Sequence, residues 1–288
     1  DSDSYTYNSR GTHDFLVRAS SPPPERQLGA IMEFGWNILS INIDPGNAFL
    51  SEGEDRGPDI IGMMEQLRID EDTHHIQLMK NEDGQFYLPA FEFNNIPYWD
   101  LTEGYQVKVD EDVEAVWEGY QISAGSDIPL EMDWNLIAYF PTYELDASAP
   151  DYHVLSPIID HVIMAKDSDG QFMLPLFNFS NMQPWQETNG YHVKVDEDVV
   201  LNYPEENEHV NGMASNSDLP GLSHWEETTL SSENMSILIS SVTNIVVSEN
   251  FELGAYTNSG MLVGAGQFDD QGRCGLAVWG DDEFTDEV

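Results

Sequence analysis

The sequence predicts a mainly β protein with short helices: two tandem, β-rich α+β repeat modules followed by an all-β, sandwich-like domain. First, the chain repeats itself. IQLMKNEDGQFYLP at 76–89 returns as VIMAKDSDGQFMLP at 162–175, and GYQVKVDEDV at 104–113 returns as GYHVKVDEDV at 190–199. Trp99 and Trp185 keep the same offset of 86 residues, and self-similarity at a fixed spacing marks an array of like modules. Second, each copy sets Asp-Gly between alternating apolar runs, at Asp83-Gly84 and Asp169-Gly170, which is a strong hairpin signal. Third, the chain beyond residue 230 consists of short apolar runs separated by turns, the pattern of a sandwich.

Residues 1–30 read as an N-terminal arm and Pro-rich spacer. YTYNSRGTHDFLVRA either folds back on itself around Arg10-Gly11 or pairs with a neighbouring subunit, and Ser21-Pro22-Pro23-Pro24 suits an extended spacer. The first module, 31–125, opens at Phe34-Gly35-Trp36-Asn37 and continues into ILSINID, which alternates as a strand should. PDIIGMMEQLR (58–68) places Ile60, Ile61, Met64 and Leu67 at helical intervals, with Pro58 suited to the first turn. The hairpin around Asn81–Gly84, a Trp99 loop and the strand GYQVKV complete it. The second module, 126–203, opens at Asp133-Trp134-Asn135. Its helix is expected over VLSPIIDHV, where Val154, Leu155, Ile158, Ile159 and Val162 form an apolar stripe.

The opening Trp-Asn pairs lie 98 residues apart, against 86 for the later motifs. The first module therefore carries an insertion, expected in the polar stretch 46–57, because insertions collect in loops. Residues 204–229 read as a linker. The C-terminal β domain, 230–288, offers the strands NMSILISS, FELGAYT, MLVGAGQF and CGLAVWG, with a turn at Asp269–Gly272. It stops abruptly for a closed sandwich, so the expectation is that more chain follows or that another chain supplies a strand. The start at Asp1 rather than Met suggests a removed leader or an excerpt, which mass spectrometry of the native N-terminus tests.

Ten lysines and arginines stand against 53 acidic residues, for a formal net charge of −43. Such a chain folds against its own repulsion, which salt or bound cations relieve. A saline medium and a calcium-dependent surface role both fit. Nucleic acid is excluded as a direct partner, because phosphate backbones need basic patches. No apolar run approaches the ~18–20 residues of a membrane span, so no membrane insertion is expected. The single cysteine, Cys274, lies in an apolar run and reads as a small core residue.

The DEDV runs supply the candidate metal ligands Asp110, Asp112, Asp196 and Asp198. Consecutive carboxylates on a bulged turn can gather around calcium, which prefers oxygen ligands. Equally, they can form a solvated turn that ends a strand and blocks edge pairing. Asp167-x-Asp169-Gly170 matches only the first half of a calcium loop and reads better as a hairpin turn. His75 and His161 align just before the hairpin strand and read as hydrogen-bonding residues rather than zinc ligands. The recurrent Trp36, Trp134, Trp99 and Trp185 suit core or inter-module packing, or sugar stacking if exposed. With so many acids, carboxylate pairs say nothing about glycosidase chemistry. The nucleophile elbow, phosphate-binding glycine loop and zincin motif are all missing from the sequence.

Gly35-Trp36-Asn37, Leu88-Pro89-Ala90-Phe91, Trp99 and Gly104-Tyr105-Gln106-Val107-Lys108 together resemble the repeated modules of large secreted and surface-exposed proteins of marine and sediment bacteria. They also resemble modules in structural proteins of marine bacteriophages. The β domain resembles the one that often follows those modules, through Asn234-Met235-Ser236, Gly264-Ala265-Gly266 and Trp279-Gly280-Asp281-Asp282. The second copy departs at Asp133, where the pattern has Gly, and at His192. The resemblance implies a structural or adhesive role on a cell surface or virion. The expectation is thus a non-enzymatic extracellular protein that assembles with itself or with other surface proteins, by strand addition and calcium-bridged acidic faces. A glycan-binding attachment module is the alternative, and a hydrolase the more distant one.

Overall fold

The computed structural model describes the backbone of residues 2–8 and 12–18, and residues 24–50, 56–206, 222, 224–225, 230–248 and 251–281. The chain is mainly β, in several sheets with no barrel among the described residues. No helix among them is long and apolar enough to cross a membrane.

β1 (Ser2–Asn8) and β2 (Thr12–Arg18) form an antiparallel pair. The first module follows with β3 (Glu25–Met32), β4 (Gly35–Leu39), β5 (Ile43–Asp44) and α1 (Ile60–Met64). It continues with β6 (Ile76–Lys80), β7 (Phe86–Leu88), β8 (Phe93–Asn94), β9 (Tyr105–Val109) and β10 (Val113–Gln121). The second module contains β11 (Ile128–Leu130), β12 (Asp133–Ile137), β13 (Val162–Lys166), β14 (Phe172–Leu174), β15 (Phe179–Ser180), β16 (Tyr191–Val195) and β17 (Val199–Leu201). The C-terminal domain adds β18 (Asn234–Ile239), β19 (Glu252–Tyr256), β20 (Leu262–Gln267) and β21 (Cys274–Trp279).

Each module centres on a five-stranded antiparallel sheet of identical topology: β4-β9-β6-β7-β8 in the first and β12-β16-β13-β14-β15 in the second. Even the irregularity repeats, with register shifts between Ile76 and Leu78 and between Val162 and Met164. Because strand side chains alternate between faces, Tyr105, Val107 and Val109 turn inward and meet Met63, Met64 and Trp99. The same face of β16 meets Trp185 and Tyr139. Trp99 packs 4.4 Å from Tyr105, and Trp185 stacks 3.8 Å from Tyr191.

Four hairpin turns share one device. Asn81 and Asp167 each accept a hydrogen bond from the backbone N–H four residues on, at 2.9 and 2.8 Å, and a left-handed glycine (Gly84, Gly170) closes the turn. Thr257 with Gly260 and Asp269 with Gly272 repeat it in the C-terminal domain. There, the four expected strands form two two-stranded sheets, β18-β21 and β19-β20. Cys274 is fully buried and its thiol is pushed up to about 11, mainly by burial, so it is a core residue.

Several expectations need correction. The helix expected over VLSPIIDHV is two separate 3-10 turns, His153–Leu155 and Ile159–His161. Pro157 lies between them without an N–H to continue the ladder, and the backbone leaves helical geometry at Ile158 (φ −126°). Val162 belongs to β13. The first-module helix is shorter than 58–68, and its N-cap is Asp59, whose carboxylate accepts from Gly62 N at 2.8 Å. Residues 25–30, assigned to the spacer, are part of β3, which pairs along β10. Leu28, Ala30 and Met32 on β3 face the core while Gln27, Gly29 and Ile31 alternate outward. ILSINID is split into β4 and β5, because Ser40 and Asn42 leave the ladder to bond the second module. The expected linker 204–229 and the tail from Asp282 fall largely outside the described residues, as do residues 51–55 of the expected insertion.

The modules are also not strung in line. Gly104 N donates to Leu136 O and Gly190 N donates to Ile38 O, both at 2.8 Å. Ala138 N to Thr102 O (2.9 Å) and Ser40 N to Thr188 O (2.8 Å) form a second reciprocal pair. Every partner has its repeat equivalent in the matching bond, which is the signature of a self-complementary contact about a two-fold axis. The glycines sit at its centre: a Cβ on Gly190 would lie 3.1 Å from Gly104 Cα.

Candidate functional sites: acidic corners and lysine-flanked tryptophans

The DEDV runs follow β9 and β16, where each ladder ends at a bend. Asp110 N donates to His75 O and Asp196 N to His161 O, both at 3.0 Å, fixing the corner. The imidazoles return the contact: His75 Nδ1 lies 3.0 Å from Asp110 and 3.4 Å from Glu111. His161 Nδ1 lies 3.1 Å from Asp196 and 3.4 Å from Glu197. Asp112 and Asp198 turn the other way and accept from Phe34 N and Met132 N, each at 2.8 Å. Asn37 and Asn135 bind the same tight turns, accepting from Glu33 N and Glu131 N. The turns project Phe34 and Met132 into solvent.

The structure thus places Asp110 and Asp112 at one corner and Asp196 and Asp198 at the equivalent one, with the two carboxylates of each pair turned to different partners. Among the described residues no three His, Cys, Asp or Glu side chains form a group able to hold a metal ion. Within each run, two carboxylates meet a histidine and the third caps a turn.

The second pair of sites lies on the outer faces of the large sheets. All four lysines of the chain are there, and each pair flanks one tryptophan. Lys80 and Lys108 lie 5.1 and 5.7 Å from the Trp36 ring centroid, and Lys166 and Lys194 lie 5.2 and 5.5 Å from that of Trp134. Such placements stabilise by about 0.5–2 kcal/mol. The lysine spacing was visible in the repeat, but the outward face was not, because Val-Lys-Val strands do not state whether the lysine side is covered. Trp99 and Trp185 are core residues, as packing required, and Trp36 is 6 % exposed, whereas Trp134 is 37 % exposed.

The C-terminal domain crosses these faces. Lys80 Nζ donates to Ser232 Oγ (3.3 Å), Gln106 Nε2 to Ser232 O (2.9 Å), and Lys166 Nζ to Asn234 Oδ1 (3.4 Å). Gly275 lies on the aromatic pair of the second hairpin, so closely that a Cβ would stand 2.5 Å from Phe179 Cζ. The Arg273 guanidinium lies 5.2 Å from the same ring and donates to Asn178 O at 2.8 Å. His192, packed under this contact, is held neutral, its pKa pushed down to about 3 by burial and then by Lys166.

At the module contact Glu103 is pushed up to about 7, first by burial and then by Asp100, Glu82 and Asp83. Glu82 is also raised by burial, although its carboxylate accepts from Leu136 N. No protein-family model, no curated protein and no solved structure matches the chain, so the resemblance to marine surface and phage modules stands on its sequence motifs alone.

Proposed function

We propose that this chain is a non-enzymatic structural and adhesive subunit of an extracellular assembly: a surface fibre, a coat or the outer shell of a virion. The observation that carries the reading is the repeated acidic corner. Phe34 and Met132, equivalent by the repeat, are each held outward by a backbone bond to a DEDV aspartate, beside further carboxylates. Phe91 and Phe177 form a second exposed equivalent pair. Large apolar side chains recurring at equivalent exposed positions point to contacts with other molecules. In this proposal calcium bridges Asp110, Asp112, Asp196 and Asp198 of one copy to carboxylates of the next. The β1–β2 pair, which joins no other strand among the described residues, adds to a neighbouring edge by strand addition.

Electron microscopy and sedimentation of the purified protein, with calcium and with chelator, test this. Ordered filaments or shells that disperse in chelator are expected. Phe34→Ser with Met132→Ser should shift assembly to at least tenfold higher protein concentration. Particles that stay monodisperse in both conditions sink the assembly reading, and assembly untouched by removal of residues 1–20 sinks strand addition by the arm.

A further inference from the structure

We infer that Asp133, Trp134 and Lys194 form a binding site for a neutral sugar unit of a glycan. The site deepens the adhesive half of the proposed function and rests on it.

The two lysine-flanked tryptophans are equivalent by the repeat, yet they meet different fates. Around Trp36 the chain supplies its own cover: the Ser231–Ser232 segment lies over this face, with the Ser232 hydroxyl and carbonyl accepting from Lys80 and Gln106. Trp134 stays 37 % exposed, with the Lys166 and Lys194 ammonium groups 5.2 and 5.5 Å from its ring centroid. Lys194 reaches Asp133 at 2.8 Å, and His192 meets the ring edge-on at 6.1 Å. A part-exposed indole flanked by two ammonium donors and one carboxylate acceptor offers the contacts a pyranose uses. Its C–H face lies on the ring, and its hydroxyls donate to a carboxylate and accept from an ammonium.

Asp133 supplies the second observation. Its φ is +95°, almost that of Gly35 (+97°) at the equivalent position. A side chain there costs on the order of 1–3 kcal/mol, and such strain gathers at functional sites. The first module uses the glycine that the backbone asks for. The second places a carboxylate beside the tryptophan in its stead, and Lys194 locks it. Asp133 pairs with Lys194, and the net charge of −43 on the whole chain disfavours an anionic sugar despite the nearby Lys166. A hydroxylated neutral unit matches the chemistry of Ser232 at the other platform.

The test is calorimetric titration of the full chain, kept monomeric in chelator, with neutral gluco-, manno- and galacto-oligosaccharides and with alginate oligomers as the anionic arm. Wild type should bind at least one neutral series. Trp134→Ala should weaken that binding at least tenfold. Asp133→Gly should weaken it similarly while raising the melting temperature, because it relieves the strained backbone. That opposition separates a binding role from a folding role. The inference is overturned if no neutral series binds, if alginate alone binds, or if Asp133→Gly binds as wild type does. Since the titration is made on monomers, self-assembly can fail while sugar binding stands, and the reverse.

Discussion

The two modules share strand order, bulge, hairpin turn and core aromatics, and they differ in what lies on their outer faces. In the second, Phe179 is 2 % exposed beneath Gly275 and Arg273 of the C-terminal domain; its equivalent Phe93 is 42 % exposed. At the tryptophans the asymmetry runs the other way, with Trp36 covered and Trp134 open. One appended domain, laid across a two-fold arrangement, accounts for both differences: it covers the hairpin of one module and, through Ser231–Ser232, the tryptophan of the other. A duplicated fold thus gains two unlike surfaces without changing either core.

The largest way to break the comparison is at the phenylalanines. Phe179→Ala should cost about 3–4 kcal/mol and loosen the C-terminal domain, whereas Phe93→Ala should cost under about 1 kcal/mol. Paired urea unfolding curves measure both, and equal losses would remove the docking asymmetry. Next come the central glycines. Gly104→Ala and Gly190→Ala should each destabilise by about 2–3 kcal/mol, and similarly to one another, because the new methyl groups meet opposite backbones.

A smaller effect separates Glu103 from its equivalent Asn189. A carboxyl whose folded pKa is raised binds its proton more strongly in the native state. The stabilisation it gives is complete below its ordinary value of 4.5 and is lost as pH rises through about 7. Stability at the module contact should therefore fall across that window, and Glu103→Gln should flatten the fall and add about 1 kcal/mol at pH 8. Melting temperature against pH for both proteins decides it. The smallest effect is at the corners: Asp112→Ala and Asp198→Ala should each cost about 0.5–1.5 kcal/mol, the net worth of one backbone bond. Thermal unfolding of the two single variants compares them.

Much of this architecture was legible along the chain. The hairpins follow from Asp83-Gly84 and Asp169-Gly170, the core from Trp99 and Trp185, and the outer strands of the C-terminal domain from their alternation. The strand β3 was hidden because Gln-Leu-Gly-Ala-Ile-Met alternates only weakly and is separated from the prolines by Glu25-Arg26 alone. The pseudo-two-fold was hidden because its bonds run between backbones, and backbone groups carry no residue code. Gly104 and Gly190 were its one sequence trace, repeated without a turn to explain them. Asp133 was visible as a departure from the repeat, but its cost appears only as a backbone angle.

The reciprocal contact between the modules has a consequence for dilution. Two separate subunits joined by a handful of backbone and side-chain hydrogen bonds around a pair of touching glycines would part at low concentration. Fused in one chain, each half meets the other at an effective concentration near the millimolar range, whatever the amount of protein around it. A contact of modest strength therefore suffices to hold the pair. A subunit released singly into open water would keep its two halves together without needing any second molecule.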